Sequence, residues 1–339
     1  MFGVLIIALI LAVLLGASDL PRVTVAQALW QALLRLFGAA AGPPEMAETI
    51  LATVRLPRVL VVACSGGALA VAGVVSQGLF RNELASPSVL GTEAGGSCAA
   101  ALVFYLGSMA QHWLVVPVAA ATGALLTTMC LLRITDKSDS ISSGAGNQDL
   151  ARLLLVGLAL SATAGAITSL VVSLALEDYL KASAMLHWLF GGFIGKGWEH
   201  VEMILPLFIL GTAIAWTLAP KLDVLALGAD VATSLGVEQR RLRRKAIVAI
   251  ALLVGGSVAV AGAVPFVGLI VPHATRALIG PKHRALLMMS LVNGMTLLLI
   301  ADLIARTVRA PREMEVGVLT ALIGAPFFLW LLLKQRRPT

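Results

Sequence analysis

The chain alternates long apolar runs with short polar segments. A membrane-spanning helix needs about 20 predominantly apolar residues. The runs that approach this length are Phe2–Ala17, Val59–Leu79, Val89–Leu106, Trp113–Leu132, Leu153–Leu176, Ile204–Leu218, Ala246–Val264, Phe266–Ile279, Leu286–Ile304 and Val316–Leu333. The first, sixth and eighth are short. They are expected to borrow flanking residues or to end against a protein-lined cavity, where irregular backbone is tolerated. Val25–Phe37 alternates apolar and polar residues at helical spacing, and Ala182–Ile194 combines Trp188 with glycines. Both are too short to span and are expected at an interface. The Ser- and Gly-rich stretch Asp136–Asp149 is predicted to be a loop. The fold class that follows is all-α, a polytopic membrane protein with about ten transmembrane helices, forming a single transmembrane domain over residues 1–339.

Composition agrees with this pattern. The sequence is 59% hydrophobic and 13% charged, with a mean hydropathy of +0.94, whereas soluble domains carry about 25% charged residues. Its 32 glycines suit helices that pack closely in lipid. The net charge of +7 does not point to nucleic acid, because the cations cluster in short segments between apolar runs. Cys64, Cys98 and Cys130 sit inside apolar runs without metal spacing, so neither a disulfide framework nor a metal site is expected. Phe2–Ala17 has no preceding Lys or Arg and reads as a retained first span, not a cleaved signal.

Lys and Arg set the orientation. With both termini inside, the inner group is Arg81, Arg133, Lys137, Arg152, Lys221, Arg240, Arg241, Arg243, Arg244, Lys245, Arg276, Lys282, Arg284, Lys334, Arg336 and Arg337. The outer group is Arg22, Arg35, Arg55, Arg58, Lys181, Lys196, Arg306, Arg309 and Arg312. Sixteen against nine favours this topology under the positive-inside rule.

A self-match is the most informative pattern. Gly66 to Val75 reads GGALAVAGVV and Gly255 to Val264 reads GGSVAVAGAV, with seven of ten pairs identical at a constant offset of 189. The copies begin the second and seventh spans, which run in opposite directions in this topology. That is the signature of an inverted repeat, an architecture common in transporters. The halves are expected at about residues 55–195 and 240–335. Each copy runs into a Pro- and Gly-bearing break, Arg81 to Gly91 in one half and Pro265 to His273 in the other.

No nucleotide-binding loop is visible. The nearest approach, around Gly195-Lys196-Gly197, has Phe190 in place of the first glycine and Gly197 where Ser or Thr would hold magnesium. Intramembrane acid–base candidates are few. Glu93 fits a helix-end carboxylate, Asp302 and Arg306 fit a local pair four residues apart, and His273 follows Pro272. Energy is therefore expected from a separate ATPase. The alternative is a gradient-driven secondary transporter that works alone. Leu225 to Val237, part of the cytoplasmic segment 224–238, carries apolar residues at helical spacing between glycines and is too short to span. A small helix displayed on the inner face is what an ATPase would grip.

Several motifs resemble the permease family of type II ABC importers, which carry ferric siderophores, haem or cobalamin. They are Arg55-Leu56-Pro57-Arg58, Gln77-Gly78-Leu79-Phe80-Arg81-Asn82, and Leu84-Ala85 with Pro87. Further ones are Leu227-Gly228 through Leu235-Gly236-Val237, Phe266 to His273, Ala301-Asp302 with Ala305-Arg306, and Val316 to Phe328. They run in order from about residue 55 to the end of the chain. The resemblance implies ten helices per subunit, a second permease (identical or homologous), an ABC ATPase dimer, and a periplasmic substrate-binding protein. It implies a multi-pass protein of the bacterial inner membrane, not itself an enzyme. No cofactor would be bound by this chain, and ATP and magnesium would sit on the ATPase. It assigns Leu227, Gly228, Asp230, Ala232, Leu235 and Gly236 to ATPase coupling. Asn82, Leu84, Leu150 and Ala151 fall to a cytoplasmic gate, and Arg55, Arg58 and Arg306 to binding-protein docking. Ferric siderophore is the implied cargo, with haem and cobalamin as alternatives. The sequence departs from the family pattern at Glu83, where Pro is usual, at Thr92-Glu93, where small polar or glycine residues are usual, and at Leu150-Ala151, where small polar residues are common.

Overall fold

The computed structural model describes residues 1–15, 27, 30–31, 46–107, 114–139, 147–310 and 312–335. Among them every regular element is helical. The helices are α1 (Phe2–Leu14), α2 (Met46–Phe80), α3 (Thr92–Tyr105), α4 (Val115–Asp139), α5 (Asn147–Ala175), α6 (Tyr179–Leu189), α7 (Trp198–Ala226), α8 (Ala229–Ser234), α9 (Gln239–Ala261), α10 (Val267–Ile279), α11 (His283–Thr307) and α12 (Val316–Gln335). Six of them (α2, α4, α5, α7, α9 and α11) are long and apolar enough to cross a membrane, and α1, α10 and α12 are shorter apolar helices.

Each predicted span overlaps a helix with shifted ends, but only six of these helices are long and apolar enough to cross. The span Val89–Leu106 falls on α3, which is neither among them nor among the three shorter apolar helices. α7 begins six residues before Ile204 and ends eight after Leu218. Glu199, Glu202, Lys221 and Asp223 in its end turns hide those turns from a hydropathy reading. α2 starts thirteen residues before Val59 and passes through a π turn at Leu51–Arg55. That turn lies where Pro57 withholds the N–H which the carbonyl of residue 53 would accept. The predicted loop Asp136–Asp149 is corrected, because α4 runs to Asp139 and α5 starts at Asn147. The interfacial stretch Val25–Phe37 falls outside the described residues except at 27, 30 and 31, and Arg22, Arg35, Arg336 and Arg337 fall outside them entirely.

Burial sorts the helices into a centre and a rim. α2 and α9, which hold the two Gly/Ala-rich copies, are the most enclosed of the six long helices and pack on each other. α4, α5 and α7 present mostly exposed apolar faces, with Leu126, Leu155, Leu158, Leu170, Ile209 and Leu210 among them, as lipid-facing helices do.

The small residues of the central pair set how closely their neighbours approach. A Cβ at Gly66 would lie 2.3 Å from the Gly294 carbonyl oxygen of α11, and one at Gly73 would lie 1.8 Å from that of Gly268 on α10. On α9, a Cβ at Gly255 would meet Ala124 of α4 at 3.3 Å. A Cβ at Gly268 of α10 would meet the Leu69 carbonyl oxygen at 2.8 Å, and one at Gly96 of α3 would meet Val258 at 2.9 Å. In a bilayer such close packing replaces the hydrophobic drive between helices. Gly66→Ala is therefore expected to destabilise the protein by about 1–3 kcal/mol through overpacking. Gly165→Ala, with open space around it, is expected to be neutral or slightly stabilising. Thermal unfolding of both variants in detergent checks this, and equal melting points would refute it.

Candidate coupling, gate and docking elements

α7 ends at Ala226, and Gly228 then takes φ 122°, a conformation open to glycine and costly for a side chain. The chain turns into the short helix α8. It leaves through Gly236 at φ 82°, with Val237 N–H donating to the Ala232 carbonyl (2.9 Å) and Gly236 N–H to that of Thr233 (2.9 Å). These two hydrogen bonds close the helix as a Schellman motif. Gln239 Nε2 donates to the Ala229 carbonyl at 2.7 Å and to Thr233 Oγ1 at 2.8 Å, fixing α8 to the start of α9. Leu227, Val231 and Leu235, spaced at i, i+4 and i+8, are 67%, 44% and 63% exposed. Asp230 is exposed beside them. Ala232 departs from the predicted coupling set, since it is fully buried against its own chain.

The loop expected to form a gate begins where α2 stops at Phe80. Arg81 takes a left-handed conformation (φ 49°), and Asn82 N–H donates to the Gln77 carbonyl at 3.1 Å. Asn82 Oδ1 accepts from Leu84 N–H at 2.9 Å, an Asx turn that pins the loop. Asn82 is exposed and Leu84 half-buried. The loop meets α5 through its turn at Pro87–Leu90, where a Cβ at Gly157 would lie 2.2 Å from the Val89 carbonyl oxygen. This contact is about two turns along α5 from half-buried Leu150 and exposed Ala151.

Glu83, the unusual residue of this loop, faces α10. Its carboxylate lies 3.5 Å from His273 Nδ1 and 3.8 Å from Arg276 Nη1. Arg276 also donates to Gln77 Oε1 at 2.9 Å, and Gln77 Nε2 donates to the Leu269 carbonyl at 3.3 Å. The loop after α2 and the end of α2 are thus tied to the second broken helix. Phe266, which opens that helix, holds φ 67°, a conformation rare for a bulky residue. Glu93 lies half-buried in the first turn of α3, where a helix N-terminus favours a carboxylate.

The three arginines expected on the outer face are not displayed there. Arg55 and Arg306 are 4% and 2% exposed. Arg55 Nη1 donates to the carbonyls of Val13 (2.9 Å) and Leu14 (3.0 Å), and Arg306 Nη2 donates to that of Ala12 (2.7 Å). These are orphan carbonyls at the C-terminus of α1, the negative end of its dipole. Arg58 donates to Asp302 Oδ1 at 2.7 Å and to both oxygens of Glu313 at 2.9 and 2.7 Å. Asp302, 1% exposed, also faces Arg306 Nε at 3.4 Å. The docking assignment of Arg55, Arg58 and Arg306 as surface groups is corrected. They donate to α1, Asp302 and Glu313, and so join four segments of one chain. The Asp302–Arg306 pair was legible as i, i+4 spacing, whereas Glu313 and the α1 carbonyls were missed. Lys196, in the loop before α7, has its ammonium pushed down to about 8 by burial, against the opposing pull of the Glu199 carboxylate.

A family model described as the FecCD transport family matches residues 4–334. The cobalamin import system permease protein BtuC of Halobacterium salinarum is 38% identical, over 89% of this chain and 79% of that protein. The iron(III) dicitrate transport system permease protein FecD of Escherichia coli is also 38% identical, over 85% of this chain and 86% of that protein. A solved structure, an inward-facing conformation of a metal-chelate type ABC transporter, superposes with a TM-score of 0.77. It is 30% identical, over 93% of this chain and all of that one.

Proposed function

Because the chain belongs to the FecCD transport family, we propose that it moves a ferric siderophore into the cytoplasm of a bacterium by alternating access. It is a multi-pass membrane protein and the permease subunit of an ABC importer, not an enzyme, and a separate ATPase hydrolyses ATP. Permeases of this family work with that ATPase and a substrate-binding protein. In the proposed assembly two permeases sit on an ATPase dimer in the inner membrane, and a periplasmic binding protein delivers the cargo.

The carrying observation is the apolar stripe of α8. Val231 stands out of the fold on a helix of six residues held between two positive-φ glycines, and Leu227 and Leu235 stand out at its two flanks. Such a displayed apolar cluster suits insertion into a partner's groove, and we assign that groove to the ATPase. Leu227, Gly228, Asp230, Leu235 and Gly236 keep their coupling role, and Ala232 anchors the helix from behind. Asn82 and Leu84 keep the gate role, with Leu150 and Ala151 on the facing helix. For an acidic binding protein the exposed cations beside the buried arginine cluster are Arg309 and Arg312, and docking is assigned to them.

The contacts of the central helices support the inverted repeat. Gly66 on α2 meets α11 as Gly255 on α9 meets α4, and Leu69 meets Gly268 of α10 as Val258 meets Gly96 of α3. Exchanging α2, α3 and α4 for α9, α10 and α11 maps one set onto the other, with Gly66/Gly255 and Leu69/Val258 at the offset of 189 seen in the sequence and their partners at shorter offsets. Two halves so related can rock about a shared centre. Cargo is the least constrained element, since relatives for cobalamin and for iron dicitrate are equally similar.

The test is reconstitution with and without a family ATPase and binding protein. Uptake of a ferric hydroxamate is expected only with both partners and ATP. Uptake by the lone chain under a proton gradient would instead establish a secondary transporter. Uptake of cobalamin in place of the ferric chelate would correct the cargo alone.

A further inference from the structure

The last turn of α7, the first turn of α11 and the end of α2 meet at one imidazole. Asp223, half-buried in that last turn of α7, accepts at Oδ1 from the backbone N–H of His283 (2.9 Å) and from its ring Nδ1 (2.7 Å). The carboxylate thus caps the open N-terminus of α11 from another helix, where the dipole favours negative charge. A carboxylate only accepts, so Nδ1 carries a hydrogen. The other ring nitrogen, Nε2, is buried and has no hydrogen-bond partner among the described residues. It is turned to α2, where a Cβ at Gly78 would lie 2.6 Å from it and 3.3 Å from Leu222 Cδ1 of α7. Only a residue without a side chain lets the ring in.

Each side of this junction continues into an element with a proposed role. Leu227 lies one turn beyond Asp223 on the same helical face and ahead of Gly228, so a push on Leu227 moves Asp223 before the chain reaches that glycine. Gly78 ends α2. Its carbonyl accepts from Arg81 N–H at 3.3 Å, next to the bond from Asn82 N–H to the Gln77 carbonyl. His283 therefore rests on the residue whose backbone starts the loop that carries Asn82 and Leu84. We propose that Asp223 and His283 are positioning residues that carry movement of α8 under the ATPase to the gate at Asn82 and Leu84. The inference rests on the coupling and gate roles proposed above. A helix cap needs only the backbone N–H of His283, whereas the ring bond and the seat on Gly78 go beyond capping. They fix the imidazole in angle as well as distance, and close packing at Gly78 passes a displacement on because the ring has no space to yield.

The test is uptake per ATP hydrolysed, in proteoliposomes that hold the permease with a family ATPase and binding protein. The probe is whichever of ferric hydroxamate and cobalamin the unmodified complex carries. Asp223→Ala is expected to co-purify with the ATPase and to hydrolyse ATP as the unmodified complex does. Its uptake per ATP should fall about tenfold, within the usual range of a coupling between two sites. Asp223→Asn keeps an oxygen for both donors and should restore most of the ratio. His283→Leu removes Nδ1 and should uncouple in the same way, and it carries the test should Asp223→Ala not accumulate. The double variant should be no worse than either single one, because both cut one link. An unchanged ratio in Asp223→Ala and His283→Leu would overturn the proposal. So would a loss of uptake matched by an equal loss of ATPase co-purification, which marks a cap that only supports the fold. Leu227→Asp/Leu235→Asp separates these failures from failure of the α8 assignment. Loss of the ATPase in that variant upholds the assignment whatever the ratio shows, and its retention removes the assignment and the link together.

Discussion

Replacing Asp302 by alanine is expected to lower stability by about 3–5 kcal/mol, the usual cost of breaking a buried ion pair from one side. Asp302 is almost fully buried and faces both Arg58, at 2.7 Å, and Arg306, at 3.4 Å. Among the described contacts Asp302 serves both Arg58 and Arg306, and Arg55 and Arg306 also donate to the negative end of α1. Without it Arg306 loses its described carboxylate and Arg58 keeps Glu313 of the two that it meets, in a low-dielectric setting. Asp302→Ala/Arg306→Met should recover part of the loss, because it removes a charge from each side and fills the space. The coupling measured by the double-mutant cycle should be about 1–3 kcal/mol. Unfolding of the purified chain in mixed micelles measures both quantities. A loss below about 1 kcal/mol for Asp302→Ala would mean that the pair is solvated and weak. The same logic separates docking from architecture. If Arg58 were a surface contact, Arg58→Glu would cost binding-protein stimulation and leave the melting point alone. The structure predicts that it unfolds the chain first.

What the sequence could and could not disclose follows from where each signal resides. The two central helices were legible because close helix approach demands glycine and alanine, and Gly66, Gly73, Gly255 and Gly262 put that demand in the text. The breaks after α2 and before α10 were legible through Pro and Gly, and α8 through its bracketing glycines. The full length of α7 was not. Hydropathy averages over composition, and Glu199, Glu202, Lys221 and Asp223 sit in end turns at headgroup depth while remaining helical. The burial of Arg55 and Arg306 left no mark, because their main partners are backbone carbonyls of α1 that any residue would supply. Arg58 looked like a surface charge for the same reason that Glu313 went unnoticed. They meet across 255 positions of sequence, and no local spacing encodes such a pair. The exposed apolar residues at and around α8 were readable in outline. The inner side of α8 was not, since Ala232 and Val231 are adjacent in sequence and only packing decides which of them faces the fold.

That division within α8 carries the other large prediction. Leu227 and Leu235 are about two-thirds exposed, so Leu227→Asp/Leu235→Asp removes nothing that holds the chain together, and its melting point should stay within about a degree of the unmodified protein. In the transporter each leucine that enters an apolar groove contributes about 1.5–3 kcal/mol. Two of them correspond to a loss of about a hundredfold or more in affinity for the ATPase. ATP-driven chelate uptake in proteoliposomes, and co-purification of the ATPase, should fall together. Ala232→Asp supplies the opposite pattern from the same short helix. It places a carboxylate at a fully buried position, which desolvates a charge without a partner, so the melting point should fall before any effect on assembly can be read. Gly228→Ala lies between the two, because φ 122° strains any side chain there while the surrounding space stays open. It should tilt α8 and weaken uptake at little cost in global stability. Unchanged uptake and co-purification in Leu227→Asp/Leu235→Asp would move the ATPase contact to another surface and leave α8 a loop helix of the fold.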